Sequence, residues 1–160
     1  MNLNELIAKF FIEDNYHQLA ERIVVMRRDG IPLYSNNQNN FENSSIGALV
    51  SGLWQAAESL SSYITRQDEH FFDFRLSFDT SSDGLFVLPF QVKEQTYYLC
   101  SIYQDVDNPA KLKNQLKSIK SGLEVYLSEF SFSSEENRKG YLFDEISDDE
   151  MDNLFAFGGL

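Results

Sequence analysis

Residues 22–36 read RIVVMRRDGIPLYSN and place an Asp29-Gly30 pair between two short apolar runs, residues 23–26 and 31–34. Apolar runs joined through Asp-Gly fold as an antiparallel hairpin, because Gly takes the positive φ of a tight primed turn without steric cost. A polar run follows, NNQNNFENSS, and then the period changes. Ile46, Leu49, Val50, Leu53, Ala57, Leu60 and Ile64 recur at three- and four-residue steps. That spacing predicts a helix over 44–65 whose apolar stripe is buried, with Asn43, Ser44 or Ser45 as its cap. A hairpin followed by a helix of this length calls for a sheet with helices packed on at least one face.

The remaining elements follow from the same reasoning. Leu3, Leu6, Ile7, Phe10 and Phe11 predict a helix over 3–12, capped by Asn2 or Asn4. Residues 71–79, FFDFRLSFD, alternate strictly: Phe72, Phe74, Leu76 and Phe78 on one side, Asp73, Arg75, Ser77 and Asp79 on the other. This is the pattern of a half-buried strand. Turn residues at 80–84 lead into a strand over 85–92, in which Pro89 cannot donate a ladder bond and marks an unpaired edge or a bulge. KEQ at 93–95 turns the chain into a third strand, 97–103. Asn108-Pro109 then starts a helix whose buried stripe is Leu112, Leu116, Ile119, Leu123, Tyr126, Leu127 and Phe130. The order is α-β-β-α-β-β-β-α, an α+β fold with a mostly antiparallel five-stranded sheet.

Offset from the apolar stripe of the second helix runs a row of small residues, Ala48, Gly52, Ala56 and Ser59. Gly in a helix interior costs about 1 kcal/mol relative to Ala, so close packing against another backbone is a reasonable compensation. That backbone belongs either to the protein's own sheet or to a second molecule.

Charge and composition exclude several classes of function. The net charge of −12 disfavours nucleic acid and anionic membranes as partners. No apolar run is long enough to span a bilayer. The N-terminal segment carries Glu5 and lacks the basic region of a secretory signal, so a cytoplasmic location is expected. The lone Cys100 cannot form an internal disulfide and sits in an aromatic strand, where a buried inert thiol is expected. Neither a phosphate-binding glycine loop nor a nucleophile elbow is present. His17, His70 and Cys100 do not make a zinc site, and the acidic cluster at 148–152 lacks the spacing of a calcium loop. No catalytic, cofactor-binding or metal-binding residue is assigned. Arg27 and Arg28, beside the hairpin turn, are read as solvated turn residues rather than as an arginine finger.

The element order, the segment MRRDGIPLYSN, the helix beginning SSIGALVSGL and the meander ending YYLCSIY together resemble the roadblock (dynein-light-chain-like) family, relatives of the longin domains. The resemblance covers roughly residues 3–130. It implies a non-enzymatic regulatory or adaptor protein that homodimerises through its second helix and an edge strand. Carried onto this sequence, the interface would include Ala48, Gly52, Ala56, Phe72 and Arg75. It also implies a Ras-like small GTPase, or a related signalling or polarity assembly, as partner. Two other readings compete with it. One is a chaperone of the type III secretion kind, also small, acidic and dimeric, with three strands before the middle helix. The other is a small-molecule sensor module with an internal pocket.

The last thirty residues stand apart from this pattern. Residues 131–160 hold eight acidic and two basic side chains, a net of −6 and half of the total. This marks 1–130 as the folded domain and 131–160 as an acidic extension. SSEENRKG at 133–140 reads as a flexible joint. Beyond it, Ser147 and Glu150 fit a capping box, and Ile146 with Met151 a hydrophobic staple, for a short helix over 147–158. Ile146, Met151, Leu154 and Phe155 are its candidate docking residues. A helix this short is marginal alone, so it docks on its own domain, docks on a partner or stays disordered.

Overall fold

The computed structural model describes residues 1–64 and 74–144, with side chains as far as residue 130. Helix α1 spans Leu3–Glu13. Asn2 accepts a hydrogen bond from the Glu5 backbone N–H while the Glu5 carboxylate accepts from the Asn2 N–H, a complete capping box. A 3-10 turn at Tyr16–Gln18 leads to strand β1 (Arg22–Arg27) and strand β2 (Pro32–Ser35). Helix α2 is Asn40–Ser61, followed by strands β3 (Leu76–Asp79), β4 (Gly84–Val92) and β5 (Gln95–Tyr103) and helix α3 (Pro109–Asp144).

The strands form one antiparallel sheet in the order β2-β1-β5-β4-β3. Both faces are covered. Ile23, Val25, Phe86, Leu88, Phe90, Leu99 and Tyr103 pack against α1 and α3, where Leu112, Leu116, Ile119, Leu123 and Leu127 form the expected stripe. Val24, Met26, Val87, Tyr98 and Cys100 pack against Val50 and Trp54 of α2. This explains why residues 23–26 form an unbroken apolar run: a central strand buried on both sides has no polar face to alternate with. The chain divides into two compact units, Met1–Leu127 and Ser128–Leu160. No helix among the described residues is long and apolar enough to cross a membrane.

Three expectations need correction. The Asp29-Gly30 turn is not a primed turn, because only Gly30 has a positive φ, of 86°. Gly30 N–H donates to Arg27 O and Arg27 N–H donates to Ile31 O, so a type I turn ends in a glycine bulge and shifts the register after Val25. The primed turn lies at Lys93 and Glu94, both left-handed, between the paired residues Val92 and Gln95. Helix α2 starts earlier than expected, because Asn39 caps it by accepting from the Glu42 N–H. Finally, residues 133–140 lie within the helical backbone of α3 instead of forming a joint.

The polar run before α2 is structural. The Asn36 amide accepts from the Ile23 N–H and donates to the carbonyls of Leu19 and Glu21. Buried Asn43 donates to Asn37 O and accepts from the Ser35 hydroxyl. Further along, Gly47 lies directly on Gly30. A Cβ on Gly47 would sit 1.9 Å from the Gly30 carbonyl oxygen, and one on Gly30 would sit 2.5 Å from the Gly47 oxygen. The helix and hairpin backbones therefore touch, and no side chain fits between them. Gly47→Ala is expected to destabilise the fold by about 3 kcal/mol, at the upper end of ordinary point substitutions, despite alanine's better helix propensity. Urea unfolding followed by circular dichroism measures it. A loss below about 0.5 kcal/mol would show that the contact relaxes freely.

Candidate protein-interaction site

The sheet-facing side of α2 consists of Asn43, Gly47, Val50, Ser51, Trp54 and Ser61. It does not contain the leucines that the sequence assigned to the core. Leu49 is 74% exposed, Leu60 63%, and Leu53 and Ile64 are exposed as well. At about 100° per residue Leu49, Leu53 and Leu60 form a flank of α2 roughly a quarter-turn away from the buried side, and Ile64 lies in the turn beyond the helix. Three contacts fix the rotation. Ser51 Oγ donates to Arg28 O at 2.8 Å, Arg28 pairs with Glu58 at 3.0 Å, and Trp54 packs on Tyr98 with ring centroids 5.2 Å apart. The hairpin β1–β2 thus lies along one side of α2. The leucine flank lies along the other, toward β5, β4 and β3. Glu42, at the head of that flank, reaches back 2.7 Å to Arg22, which is paired with Ile102 of β5.

The sheet surface beside this flank is apolar and open. Leu76, Leu85 and Ile102 are only partly buried against the α2 side of the sheet. Phe78, two residues along β3 from Leu76 and therefore on the same face, is 80% exposed. β3 is the last strand in the order, and among the described residues its outer edge is unpaired. Among the described residues β3 begins at the Leu76–Val87 pair and no strand lies outside Pro89 on β4, which suits its missing N–H. The flank and the strip are both apolar and uncharged, together the α2 trough, and the strip ends at a strand edge that is unpaired among the described residues. Such an edge is a template for another strand.

The described candidate residues fall on two different surfaces. Ala48, Gly52 and Ala56 are exposed on the side of α2 that points away from the sheet, and a Cβ at Gly52 would meet nothing within 4 Å. Arg75 is exposed just before β3. Phe72 lies outside the described residues, as do Ile146, Met151, Leu154 and Phe155. The sequence missed Leu49, Leu53, Leu60 and Phe78 as surface residues. Periodicity identifies an apolar stripe and does not say what covers it.

The other chemistry-bearing side chains are occupied. Arg27 pairs with Asp29 at 2.7 Å, as Arg28 does with Glu58. Cys100 is fully buried, and burial pushes its thiol up to about 12. His17 Nδ1 lies 3.3 Å from Phe11 O.

No profile of a known protein family matches the chain, and no curated protein sequence does. Solved structures do match. The gliding protein MglB of Thermus thermophilus superposes with a TM-score of 0.59 at 16% identity, over 81% of this chain and 94% of that one. MglB of Myxococcus xanthus gives 0.54 at 14% identity, over 83% and 92%. A Roadblock/LC7 domain from Streptomyces avermitilis gives 0.54 at 16% identity, over 79% and 98%. The fold is the roadblock fold. In this roadblock fold the open edge strand is tied down at one end. Asp79 accepts hydrogen bonds from Lys113 of α3, from the Tyr103 hydroxyl at 3.0 Å and from Ser77. These bonds, with the Lys113 bond largest, hold its carboxyl below the ordinary value of 3.8. A depressed folded pKa stabilises the protein above 3.8, and that stabilisation is lost as pH falls through the folded value. Asp79→Asn is therefore expected to lower the urea midpoint at neutral pH. The gap from wild type should close as pH drops below 3.8. A gap that persists undiminished at the lowest folded pH would show that Asp79 acts without its charge.

Proposed function

We propose that this protein is a non-enzymatic adaptor that self-associates through the α2 trough and the β3 edge, and that it binds a Ras-like small GTPase or a related signalling assembly. The observation that carries the reading is the exposed or half-buried apolar set Leu49, Leu53 and Leu60 of α2 with Leu76 and Phe78 of β3, whose outer edge is unpaired among the described residues. Two copies related by a two-fold axis would lay these flanks side by side and join their sheets edge to edge. This is an isologous contact, in which each copy presents the same surface. The homodimer and the GTPase partner are also what the sequence resemblance implies, and the shared fold with MglB supports that resemblance. Two strands precede α2 and three follow it, the reverse of the secretion-chaperone order. The acidic extension, with Ile146, Met151, Leu154 and Phe155, serves as an additional docking segment.

Leu53→Asp places a charge in the middle of the trough at a position that is already exposed, so the fold is expected to survive. Association should weaken by about 2 kcal/mol or more, the scale of an interface hot spot. Sedimentation should then show the particle mass halved. An unchanged mass would remove the trough as a self-contact.

The partner is tested by affinity capture from native cytosol, read by mass spectrometry, with the full chain and with a chain ending at Phe130. A small GTPase recovered with both supports the adaptor reading and places the contact on the folded domain. Recovery only with the full chain assigns the contact to the extension. Secreted effectors in its place would sink the reading.

A further inference from the structure

The outer strand of the sheet is held from the face opposite the trough. Leu76 of β3 pairs with Val87, which packs on the α2 side, so Ser77 and Asp79 belong to the α3 side. There the register puts Asp79, Gly84 and Tyr103 in one row across β3, β4 and β5. Gly84 leaves the middle of that row open: a Cβ on it would sit 2.4 Å from the Asp79 Cβ. Three donors converge on one oxygen, Asp79 Oδ2. The Tyr103 hydroxyl reaches it across the row at 3.0 Å, Lys113 Nζ reaches it from α3, and the Ser77 hydroxyl reaches it along β3 at 3.2 Å. The turn beyond Asp79 is fastened too. Asp105 N–H donates to Asp83 Oδ1 at 2.8 Å and Val106 N–H donates to Ser82 O at 3.0 Å, and both donors lie in the segment that leads into α3. The end of β3 is therefore bound to α3 and its lead-in, by bonds that all lie away from the trough.

We propose that this tether governs the self-contact, so that an association surface without charge is controlled by the Lys113–Asp79 ion pair on the opposite face. The proposal rests on the self-contact stated above and assigns its regulation. Edge-to-edge docking needs β3 ordered in one register, with Leu76 and Phe78 turned toward the trough. As described, β3 is four residues long and pairs only with β4. A short strand with one neighbour opens locally at little cost. The apparent affinity falls in proportion to the fraction of chains in which the docking surface is formed. Fixing Asp79 fixes the backbone of its neighbour Phe78, and so raises that fraction. Lys113, Asp79 and Gly84 are thus positioning residues: they act on the contact through β3, and Gly84 does so by leaving room for the bond between Tyr103 and Asp79.

Sedimentation equilibrium of the full chain tests it. Lys113→Met keeps the apolar stem and removes the charge, and it should raise the dissociation constant about fivefold, the scale of one partly exposed ion pair. Gly84→Ala should raise it as well, with no charge changed. Exchanging the two charges, Asp79→Lys together with Lys113→Asp, should return it toward the wild-type value. A second measurement separates a loosened edge from a lost fold. In the Leu53→Asp background, Lys113→Met should speed amide hydrogen exchange in residues 76–79 and leave β1 and β5 unchanged. Unchanged association for Lys113→Met overturns the proposal, whether or not exchange in β3 quickens. Unchanged exchange in β3 overturns it too, as does a charge-exchanged chain that associates no better than Lys113→Met. Failure of the self-contact itself is recognised separately: the wild-type chain then sediments as a monomer, and the proposal falls with it.

Discussion

The backbone contact between Gly30 and Gly47 governs the placement of α2. Two peptide backbones that meet without side chains between them leave one distance and little freedom of rotation. Helix α2 is then held by Ser51 on the Arg28 carbonyl and by Trp54 on Tyr98. With the helix seated this way, its side toward the sheet is built largely from small and polar residues. The leucines are turned to the flank, and the small-residue row is turned outward. The hydrophobic effect alone would favour the opposite rotation, since burying a leucine is worth roughly 1.5–3 kcal/mol. Leu49 and Leu60 forgo this among the described residues, and the proposed self-contact is what would recover it.

This explains which parts of the fold were legible in the sequence. The third helix was read correctly because its stripe faces its own sheet, and Leu112, Leu116, Ile119, Leu123 and Leu127 are buried as their spacing implies. The strands were legible for the same reason. The second helix was misread in its orientation although its existence was clear. Periodicity reports that apolar residues share a face, and an interface between molecules produces the same pattern as a core. The signals that would have separated the two are Gly47 and Trp54. A glycine placed to meet the glycine of a hairpin, seven residues or about two helical turns before a tryptophan, marks the side on which the helix is held. The asparagines before α2 were read as loop because their composition is polar. Their bonds to the ends of β1 and α2 depend on tertiary placement, which composition does not carry.

The open edge of the sheet poses a related problem. An unpaired strand with an exposed phenylalanine invites uncontrolled pairing, and folded proteins blunt such edges with charge, shortness or cover. Here the described strand is four residues long, and Asp79 closes one end of it. The bonds from Lys113, Tyr103 and Ser77 hold that aspartate, and Lys113 also lies over the Phe86 ring, 5.4 Å from its centroid. The edge is therefore fixed to the opposite layer of the fold at the point where the strand turns. A strand anchored this way has a fixed register, which the proposed edge-to-edge self-contact would require.

The buried side of α2 needs little apolar surface. Gly47 seats the helix on Gly30, and Trp54 fills the space above Tyr98. Because two residues do most of the seating, the apolar residues that would ordinarily face a core lie elsewhere on the helix: Leu49, Leu53 and Leu60 stand exposed. The proposed self-contact would bury that flank, and the seating by Gly47 and Trp54 is what frees it to do so.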